Sequence, residues 1–306
     1  MKIAIIGPGA MGTLLAALFT KAKEEVFLID KNEERAKKIN EQGVFVEGLS
    51  GDWPIKIKTI VQLKDLTAFD LLILCVKSYD TKEAISRLKP IIKPTTYILT
   101  LQNGIGNIET MGEIINSDQI IGGTTNLGAT LLSTGKVRFA GKGETIIGKL
   151  DGKIPVEMRA IRELFNKAHL ELKISRDIKG LLWSKLIINV GINALTALTR
   201  LPNGKLIEYE GTRRIMRDAV TEALRVAKRK RIKLLYDDPL AKVEAVCEAT
   251  SENVSSMLQD ILRKKRTEID FINGVIVRQA QELGIPAITN RILLDLVKTV
   301  EASYAI

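Results

Sequence analysis

The sequence predicts an α/β protein with an N-terminal doubly wound Rossmann-type domain and an all-helical C-terminal domain. Three observations indicate this class. The chain opens with a strand, a glycine turn and a helix in KIAIIGPGAMGTLLAALF; strand-like runs then alternate with helical segments to about residue 175; only long helical periods follow. Since 306 residues suffice for two cores, we place the domains at residues 1–175 and 176–306.

The remaining elements of the first domain follow from apolar runs and the breaks between them. Strands are predicted for EVFLID, DLLILCVK, TYILTLQNG, QIIGGTT and residues 170–174, and helices for KNEERAKKINEQG, residues 81–88 and a segment from about Val156. FVEGLSGDWPIKIKTI predicts two short strands around a turn, and KVRFAGKGETIIGK predicts an antiparallel pair.

Composition describes an ordinary globular protein, with 45% hydrophobic and 27% charged residues. The net charge is +10, and the densest basic run is RVAKRKRIK at residues 225–233. We interpret this run as the solvated face and end of a helix rather than a nucleic-acid site, because it has no interleaved aromatic residues and acidic residues are plentiful elsewhere.

No uninterrupted apolar segment reaches ~18 residues, and the apolar start is broken by GPGAMG with no cleavage pattern after it. The sequence therefore predicts a cytoplasmic protein without a membrane span.

Cys75 and Cys247 show neither disulfide nor metal-ligand spacing and are predicted to be buried thiols. The only histidine, His169, lies before the helical motifs and is assigned a structural role.

The glycine turn carries the motif G-x-G-x-x-G at Gly7, Gly9 and Gly12, with Ala10 and Met11 between the last two. It follows a strand and opens a helix, which is the context that dinucleotide binding requires. The first glycine permits the tight turn, the second lets a pyrophosphate approach the backbone, and the third lets the helix pack closely on the strand. The helix N-terminus then offers N–H groups to the phosphates.

The second strand ends in Asp30, where an acid can bind the ribose hydroxyls of NAD and repel the 2′-phosphate of NADP. Lys31 follows directly and Arg35 lies one helical turn later, and either can receive that phosphate. Both cofactors are therefore compatible with the sequence. Lys77 and Asn103 end two further strands, so we place them at the rim where a nicotinamide would lie.

In the helical half, LLWSKLIINVGINAL carries Lys185, Asn189 and Asn193 at four-residue spacing. Such spacing places the amine and both amides on one stripe of an otherwise apolar helix. Buried polar groups need partners, which other side chains or a polar small molecule can supply.

Two other polar patches follow in the chain. Asn253, Ser256 and Gln259 show helical spacing, and Thr267 with Asp270 matches a capping box, in which Glu268 would be a first-turn acid.

Together these residues resemble a family. G-P-G-A-M-G, V-K-S-Y-D, L-Q-N-G, W-S-K-L-x-x-N-x-x-x-N, S-S-M-L-Q-D-I and T-E-I-D-F-I-N-G are similar to motifs of the ketopantoate reductases, over essentially the whole chain from Met1 to about Lys298. The resemblance implies reduction of 2-dehydropantoate (ketopantoate) to pantoate in pantothenate and coenzyme A biosynthesis, usually with NADPH. Asp30 departs from it, because NADP-using members often carry a basic or neutral residue there.

The resemblance also implies a role for each residue. Lys185 is the general acid, and Glu268 is its acidic partner near substrate and nicotinamide. The residues that contact or adjoin substrate are Asn189, Asn193, Asn203, Asn253 and Ser256, and Lys77 and Asn103 lie on the cofactor side. The chemistry of the reaction agrees with the role of Lys185, because hydride addition to a ketone creates a negative oxygen that a lysine can protonate.

Our leading prediction is therefore an NADPH-dependent ketopantoate reductase, with NADH as the alternative cofactor and no bound metal. A related reductase of another 2-keto or 3-hydroxy acid, a non-catalytic nicotinamide-binding protein and, on residues 225–233 alone, a DNA-binding protein are the alternatives. We expect neither a nucleic-acid nor a membrane partner, and the apolar helical half is compatible with a homodimer.

Overall fold

The computed structural model describes residues 1–63 and 68–305, which form two compact units. Unit 1 comprises Met1–Gln102 and Asn107–Ile178, and unit 2 comprises Asn103–Gly106 and Lys179–Ile306. The predicted fold class is confirmed, since unit 1 is a sheet with helices and unit 2 is helical. We placed the domain boundary between residues 175 and 176, whereas the two units divide between Ile178 and Lys179, and the assignment of residues 103–106 to unit 2 was not predicted.

Unit 1 contains twelve strands within the described residues. They are β1 (Lys2–Ile6), β2 (Glu25–Ile29), β3 (Val44–Gly48), β4 (Trp53–Ile55), β5 (Lys58–Ile60), β6 (Leu71–Leu74), β7 (Tyr97–Thr100), β8 (Ile120–Thr125), β9 (Gly128–Ser133), β10 (Lys136–Gly141), β11 (Thr145–Gly148) and β12 (Leu172–Ile174). Its helices are α1 (Ala10–Lys21), α2 (Glu33–Gln42), α3 (Thr81–Leu88), α4 (Asn107–Gly112) and α5 (Val156–Lys167).

Eight strands form the main sheet, in the order β12-β11-β8-β7-β6-β1-β2-β5. The pairs are parallel except β8 with β11, which is antiparallel. The chain builds outward from β1 to β5 and then resumes at β6 on the other side of β1. Strand order therefore reverses between β1 and β6, and doubly wound sheets bind ligands at such a point, beyond the carboxyl ends of the strands.

Apolar runs form these strands because helices cover a parallel sheet and bury both faces. All four residues of β6 are buried, and α1 has eight consecutive buried residues from Gly12 to Phe19. The rings of Phe19 and Phe165 join α1 to α5 edge to face, with centroids 5.0 Å apart. The turn between β1 and α1 is therefore anchored in the core of unit 1.

One local prediction in unit 1 is wrong and another is incomplete. KVRFAGKGETIIGK is not an antiparallel pair, because β10 pairs with β9 and β3 in a second, four-stranded sheet while β11 pairs with β8 and β12 in the main sheet. Gly143 lies where the chain leaves one sheet for the other, and a Cβ there would lie 2.3 Å from the Asn126 carbonyl oxygen. FVEGLSGDWPIKIKTI forms the two predicted strands around a turn, β3 and β4, and also a third strand, β5, which was not predicted and joins β2 in the main sheet.

Unit 2 is built from helices around α6 (Ile178–Thr199). The others are α7 (Lys205–Glu208), α8 (Glu210–Arg229), α9 (Pro239–Ala249), α10 (Ser256–Leu262), α11 (Asn273–Glu282) and α12 (Ile288–Ala302). Among the described residues, α6 alone is long and apolar enough to cross a membrane, but 72% of its apolar window is buried. We interpret it as the core helix of unit 2.

Both thiols have raised pKa values. Burial raises the pKa of Cys247 to about 12, and burial likewise raises the pKa of Cys75 to about 12. The thiols therefore stay protonated at neutral pH.

The N-terminus of α12 is capped by a side chain from α8. The Glu222 carboxylate accepts hydrogen bonds from the backbone N–H groups of Thr289 and Asn290, each at 2.9 Å, and from Asn290 Nδ2 at 2.8 Å. Asn290 is fully buried and also accepts a bond from Asn273 Nδ2 at 3.0 Å. A single carboxylate thus satisfies the first N–H groups of α12 and orients a buried amide.

We expect Glu222→Ala to lower the free energy of unfolding by about 1–3 kcal/mol, because three donors lose a charged acceptor. Chemical denaturation followed by helical circular dichroism measures the change. Glu282→Ala, which removes an exposed glutamate from α11, is the matched control and should shift the midpoint far less. Equal midpoints for the two variants would contradict the capping role.

Candidate active site

The three motif glycines of unit 1 have different surroundings, and two of them are sterically required to be glycine. Gly7 has φ +93°, and a Cβ there would lie 2.7 Å from Val76 Cγ1, so glycine permits both the turn and the close approach of the loop after β6. A Cβ on Gly12 would lie 2.1 Å from the Gly7 carbonyl oxygen, which explains the close packing of α1 on the turn. A Cβ on Gly9 would meet no atom within 4 Å, so the space above Gly9 is open.

This open space adjoins the N-terminus of α1, where Ala10 and Met11 are the first helical residues. Gly9 is the N-cap residue and provides no side-chain hydrogen bond to the first turn. The backbone N–H groups there suit an anionic ligand, and the helix dipole favours one. The turn therefore fits the pyrophosphate of a dinucleotide.

Asp30, directly after β2, is saturated with hydrogen bonds. Its carboxylate accepts from the backbone N–H groups of Lys31 at 2.7 Å and Asn32 at 3.1 Å, and from Arg35 Nε and Nη2 at 2.5 Å each. The Asp30 side chain is 2% exposed and that of Arg35 is 39% exposed. The acid is therefore neutralised by a guanidinium that still reaches the surface.

Lys31 and Lys77 both lie near the carboxyl ends of their strands. Lys31 Nζ lies 3.3 Å from carboxylate oxygens of Asp80 and Glu83. Lys77 precedes a 3-10 turn at Ser78–Asp80 that leads into α3. Both lysines therefore follow the carboxyl ends of parallel strands, the edge at which doubly wound sheets generally bind ligands.

A buried polar network holds the loop that carries Lys77. Gln102 Nε2 donates to the Val76 carbonyl oxygen and to Thr81 Oγ1, each at 2.9 Å. Thr81 Oγ1 donates to Asn107 Oδ1, and Asn107 Nδ2 donates to Ser78 Oγ at 3.2 Å. Sequence reasoning missed Gln102, although it stands inside the L-Q-N-G motif.

In unit 2, Lys185, Asn189 and Asn193 lie on α6, as the spacing predicts. Asn193 is 5% exposed, and Lys185 and Asn189 are partly buried. Burial lowers the pKa of Lys185 to about 8, and the charge of Glu268 acts in the opposite direction. Asn189 Nδ2 is buried and has no hydrogen-bond partner among the described residues.

Glu268 is 6% exposed and lies in a short turn between α10 and α11. The predicted capping box at Thr267 and Asp270 is wrong, because the Thr267 N–H donates to Glu301 Oε1 at 2.7 Å. Thr267 Oγ1 instead accepts from the Ile269 N–H at 3.2 Å. Asp270 forms ion pairs elsewhere, with Lys298 at 2.8 Å and Arg266 at 3.5 Å. Thr267 and Asp270 therefore do not form a capping box. Instead, Glu301 on α12 binds the turn that carries Glu268.

The segment Asn103–Gly106 packs against this same turn. The Ile105 N–H donates to the Phe271 carbonyl oxygen at 3.1 Å, and the Phe271 N–H donates to the Glu268 carbonyl oxygen at 2.9 Å. Gly104 has φ +83°, and a Cβ there would lie 2.3 Å from the Phe271 carbonyl oxygen. Asn103 is thereby held beside the turn of Glu268 in unit 2.

Asn203 and Asn253 meet in neighbouring loops. The Asn203 N–H donates to the Asn253 carbonyl oxygen at 3.0 Å, and Asn203 Nδ2 donates to Thr250 Oγ1 at 2.9 Å. Asn203 Oδ1 is buried without a hydrogen-bond partner among the described residues. This carbonyl oxygen is, like Asn189 Nδ2, one of several buried polar atoms of unit 2 without a partner among the described residues.

The predicted helical spacing of Asn253, Ser256 and Gln259 is wrong, because α10 begins at Ser256 and Asn253 precedes it. The N-cap is Ser255, whose Oγ accepts from the Leu258 N–H at 3.1 Å and lies 2.7 Å from Thr196 Oγ1 on α6. Sequence reasoning missed Ser255 and Thr196. A serine before MLQDIL is a usable N-cap signal, but two adjacent serines leave its position ambiguous.

Unit 2 thus contains an amine with a lowered pKa, a buried carboxylate whose charge acts on it, and amide atoms without hydrogen-bond partners among the described residues. An amine with a pKa near 8 can release a proton to an oxygen that gains negative charge at neutral pH. Unsatisfied amide donors and acceptors suit a small ligand that carries carboxylate and hydroxyl groups.

Comparison with known proteins gives consistent matches. The family profile described as "Ketopantoate reductase PanE/ApbA" matches residues 3–152, and its C-terminal counterpart matches residues 177–301. A curated 2-dehydropantoate 2-reductase of Pyrococcus horikoshii is 38% identical, with 99% of this chain and 98% of the relative covered.

Solved structures with this fold include related enzymes. A ketopantoate reductase of Ralstonia eutropha has a TM-score of 0.92 at 33% identity, with both chains covered completely. A D-mandelate dehydrogenase solved with NADH and anilino(oxo)acetate has a TM-score of 0.93 at 26% identity, again over both complete chains.

Proposed function

Because this chain belongs to the ketopantoate reductase family, we propose that it reduces 2-dehydropantoate to pantoate, with Lys185 as the proton donor. The observation that carries this proposal is Lys185 itself, whose pKa burial lowers to about 8 while Glu268 opposes the shift. A biosynthetic reduction of this kind belongs in the cytoplasm.

The residues of unit 2 have distinct proposed roles. The nicotinamide, when bound, supplies the hydride. Lys185 gives its proton to the ketone oxygen and neutralises the charge that develops there. Glu268 keeps Lys185 protonated at neutral pH, because an adjacent negative charge favours the ammonium form.

The asparagines are proposed to bind the substrate. Asn189 Nδ2 is a buried donor and Asn203 Oδ1 a buried acceptor without a partner among the described residues, and they suit a carboxylate and a hydroxyl group respectively. Asn193, Asn253 and Ser256 complete the proposed substrate-binding set. A ligand that satisfied both atoms would remove the cost of leaving buried polar groups unpaired.

For the cofactor we propose the turn of Gly7 to Gly12 as the pyrophosphate site, with Lys77 and Asn103 on the nicotinamide side. We propose NADPH as the preferred cofactor, because Arg35 neutralises Asp30 and its partly exposed side chain can contact a 2′-phosphate. NADH is the alternative, with Asp30 released to accept the ribose hydroxyls.

The decisive experiment is an assay of the purified protein with 2-dehydropantoate and each cofactor in parallel. We expect substrate-dependent oxidation of NADPH, with a smaller kcat/KM for NADH. Tight binding of either cofactor without turnover of any 2-keto acid would instead support a non-catalytic nicotinamide-binding protein.

Glu268 has a testable effect on the pH dependence. The kcat/KM for reduction should fall as the pH rises through about 8, where Lys185 loses its proton. Since Glu268 raises the pKa of Lys185, Glu268→Gln should move this fall to lower pH, and the loss should be larger at pH 8 than at pH 6. Asp270→Asn, which removes a carboxylate paired with Lys298, is the control that should leave the profile in place.

A second candidate is a reductase of another 2-keto acid, which the likeness to D-mandelate dehydrogenase favours. Phenylglyoxylate, the keto acid that corresponds to mandelate, discriminates between the two. A higher kcat/KM for phenylglyoxylate than for 2-dehydropantoate would replace the first proposal.

A further inference from the structure

Five polar side chains form a continuous network at the carboxyl ends of β6 and β7 in unit 1. Gln102 stands at its centre, since its Oε1 accepts from Thr100 Oγ1 and its Nε2 donates to Thr81 Oγ1, each at 2.9 Å. From Thr81 the network continues through Asn107 to Ser78. The four partners of Gln102 in this network are at most 4% exposed. A buried network with satisfied hydrogen bonds holds its members in one arrangement.

The network contacts the chain on both sides of Lys77. Gln102 Nε2 also donates at 2.9 Å to the carbonyl oxygen of Val76, the residue before Lys77. Ser78, the residue after Lys77, is the far end of the network. Lys77 itself is half-buried, and its carbonyl oxygen accepts from the Asp80 N–H at 2.8 Å. The backbone position of Lys77 is therefore determined by what its two neighbours contact.

Val76 also lies against the glycine turn that we propose for the pyrophosphate. A Cβ on Gly7 would lie 2.7 Å from Val76 Cγ1 and 3.0 Å from the Val76 backbone nitrogen. Val76 thus packs on the turn and accepts a hydrogen bond from Gln102. A shift of Val76 would therefore move Lys77 relative to the turn.

We propose that Gln102 is a positioning residue for cofactor binding, which acts by holding Lys77 in place. This inference rests on the proposed placement of Lys77 on the nicotinamide side. A lysine has a long, flexible stem, so a fixed backbone limits the freedom that its ammonium group loses when a ligand binds. Without the two bonds from the Gln102 amide, the loop would loosen and Lys77 would bind the cofactor less tightly.

Titration of the purified protein with NADPH, followed by cofactor fluorescence, measures the dissociation constant in the absence of substrate. Gln102→Met keeps an unbranched side chain of similar length but removes both N–H donors. We expect it to raise the dissociation constant of NADPH by about 10-fold, which lies within the usual range of coupling between contacting residues. If NADH binds more tightly, the same titrations are made with NADH.

Gln119→Met is the matched control. Gln119 is also half-buried in unit 1, and its Nε2 also donates to two acceptors, the carbonyl oxygens of Lys93 at 2.6 Å and Thr96 at 2.7 Å. It directly precedes β8, so it lies at the amino ends of the parallel strands, opposite to the ligand-binding edge. Gln119→Met should lower the melting temperature about as much as Gln102→Met, but it should change the dissociation constant by less than about twofold.

A double-mutant cycle with Lys77→Ala separates positioning from a general structural effect. Lys77→Ala alone should raise the dissociation constant by about 10-fold or more, as expected when a hydrogen bond from a charged group is lost. If Gln102 acts through Lys77, Gln102→Met should change the dissociation constant by less than about twofold in the Lys77→Ala background.

Thr81→Val tests the network at a second point. It removes the hydroxyl that accepts from Gln102 and donates to Asn107, while the shape of the side chain is retained. It should also raise the dissociation constant, and this effect should also vanish in the Lys77→Ala background. Thr81→Val therefore decides the question if Gln102→Met does not fold.

Three results would overturn the proposal. One is a Lys77→Ala protein with an unchanged dissociation constant, because Gln102 would then have no contact to support. The second is an equal effect of Gln102→Met and Gln119→Met, and the third is full additivity in the cycle. Since no keto acid is present, a failure to reduce 2-dehydropantoate would leave these measurements valid, and the two proposals can fail separately.

Discussion

Lys185→Met should lower kcat for the reduction of 2-dehydropantoate by about 10²–10⁴-fold, the usual contribution of a general acid. Methionine keeps the length and the apolar stem of lysine but has no proton to donate, so packing on α6 should change little. Initial rates at saturating cofactor and substrate measure the effect. The fall in rate above pH 8 should also disappear, because the titrating group is gone.

Lys179→Ala is the matched control for this prediction. Lys179 is an exposed lysine on the same helix, so Lys179→Ala removes a positive charge from α6 without removing the proposed proton donor. It should leave kcat within about twofold, because an exposed charge contributes little. A Lys185→Met enzyme that retained more than a tenth of the original kcat would assign proton donation to another group.

Arg35→Ala should reduce the preference for NADPH over NADH by about 10–100-fold, the range expected when a hydrogen bond to a charged group is lost. Two effects act in the same direction. The 2′-phosphate of NADPH loses its guanidinium partner, and the Asp30 carboxylate, freed from Arg35, both repels that phosphate and accepts the ribose hydroxyls of NADH. The ratio of the two kcat/KM values measures the change.

Lys38→Ala is the control, since Lys38 is exposed on α2 and lies outside the Asp30 cluster. If Arg35→Ala left the ratio of the two kcat/KM values unchanged, the 2′-phosphate would be received elsewhere, with Lys31 as the next residue to test. If it raised the preference for NADPH, the proposed contact would be contradicted.

The parts of the fold that local patterns determine could be predicted from the sequence. The turn at Gly7, Gly9 and Gly12 was predictable because its motif lies within one strand–turn–helix segment, in which Gly7 and Gly12 answer local steric requirements. The alignment of Lys185, Asn189 and Asn193 was predictable because helical geometry alone fixes it.

Features that depend on distant partners could not be predicted. Residues 136–149 alternate like a hairpin, but β10 and β11 find better partners in β3, β8, β9 and β12, and local sequence does not encode that choice. Thr267 and Asp270 match a capping box, but Glu301, 34 residues after Thr267, takes the backbone donor. In both places a tertiary contact overrides a correct local pattern.

The role of Gln102 shows a similar limit within the site. Its amide joins the loop after β6 to the start of α3, and only the parallel pairing of β6 with β7 brings these groups together. A glutamine at the end of a strand has no distinctive local signal, so its identification required the coordinates.

The segment Asn103–Gly106 affects how this protein can be divided. Ile105 contributes to the core of unit 2, although more than seventy residues separate it from the next part of that unit. A gene fragment that encodes only residues 179–306 would therefore lack one side chain of its own core and the strand-like backbone bond to Phe271. The chain is better treated as one indivisible polypeptide than as two modules that can be cloned, swapped or crystallised separately.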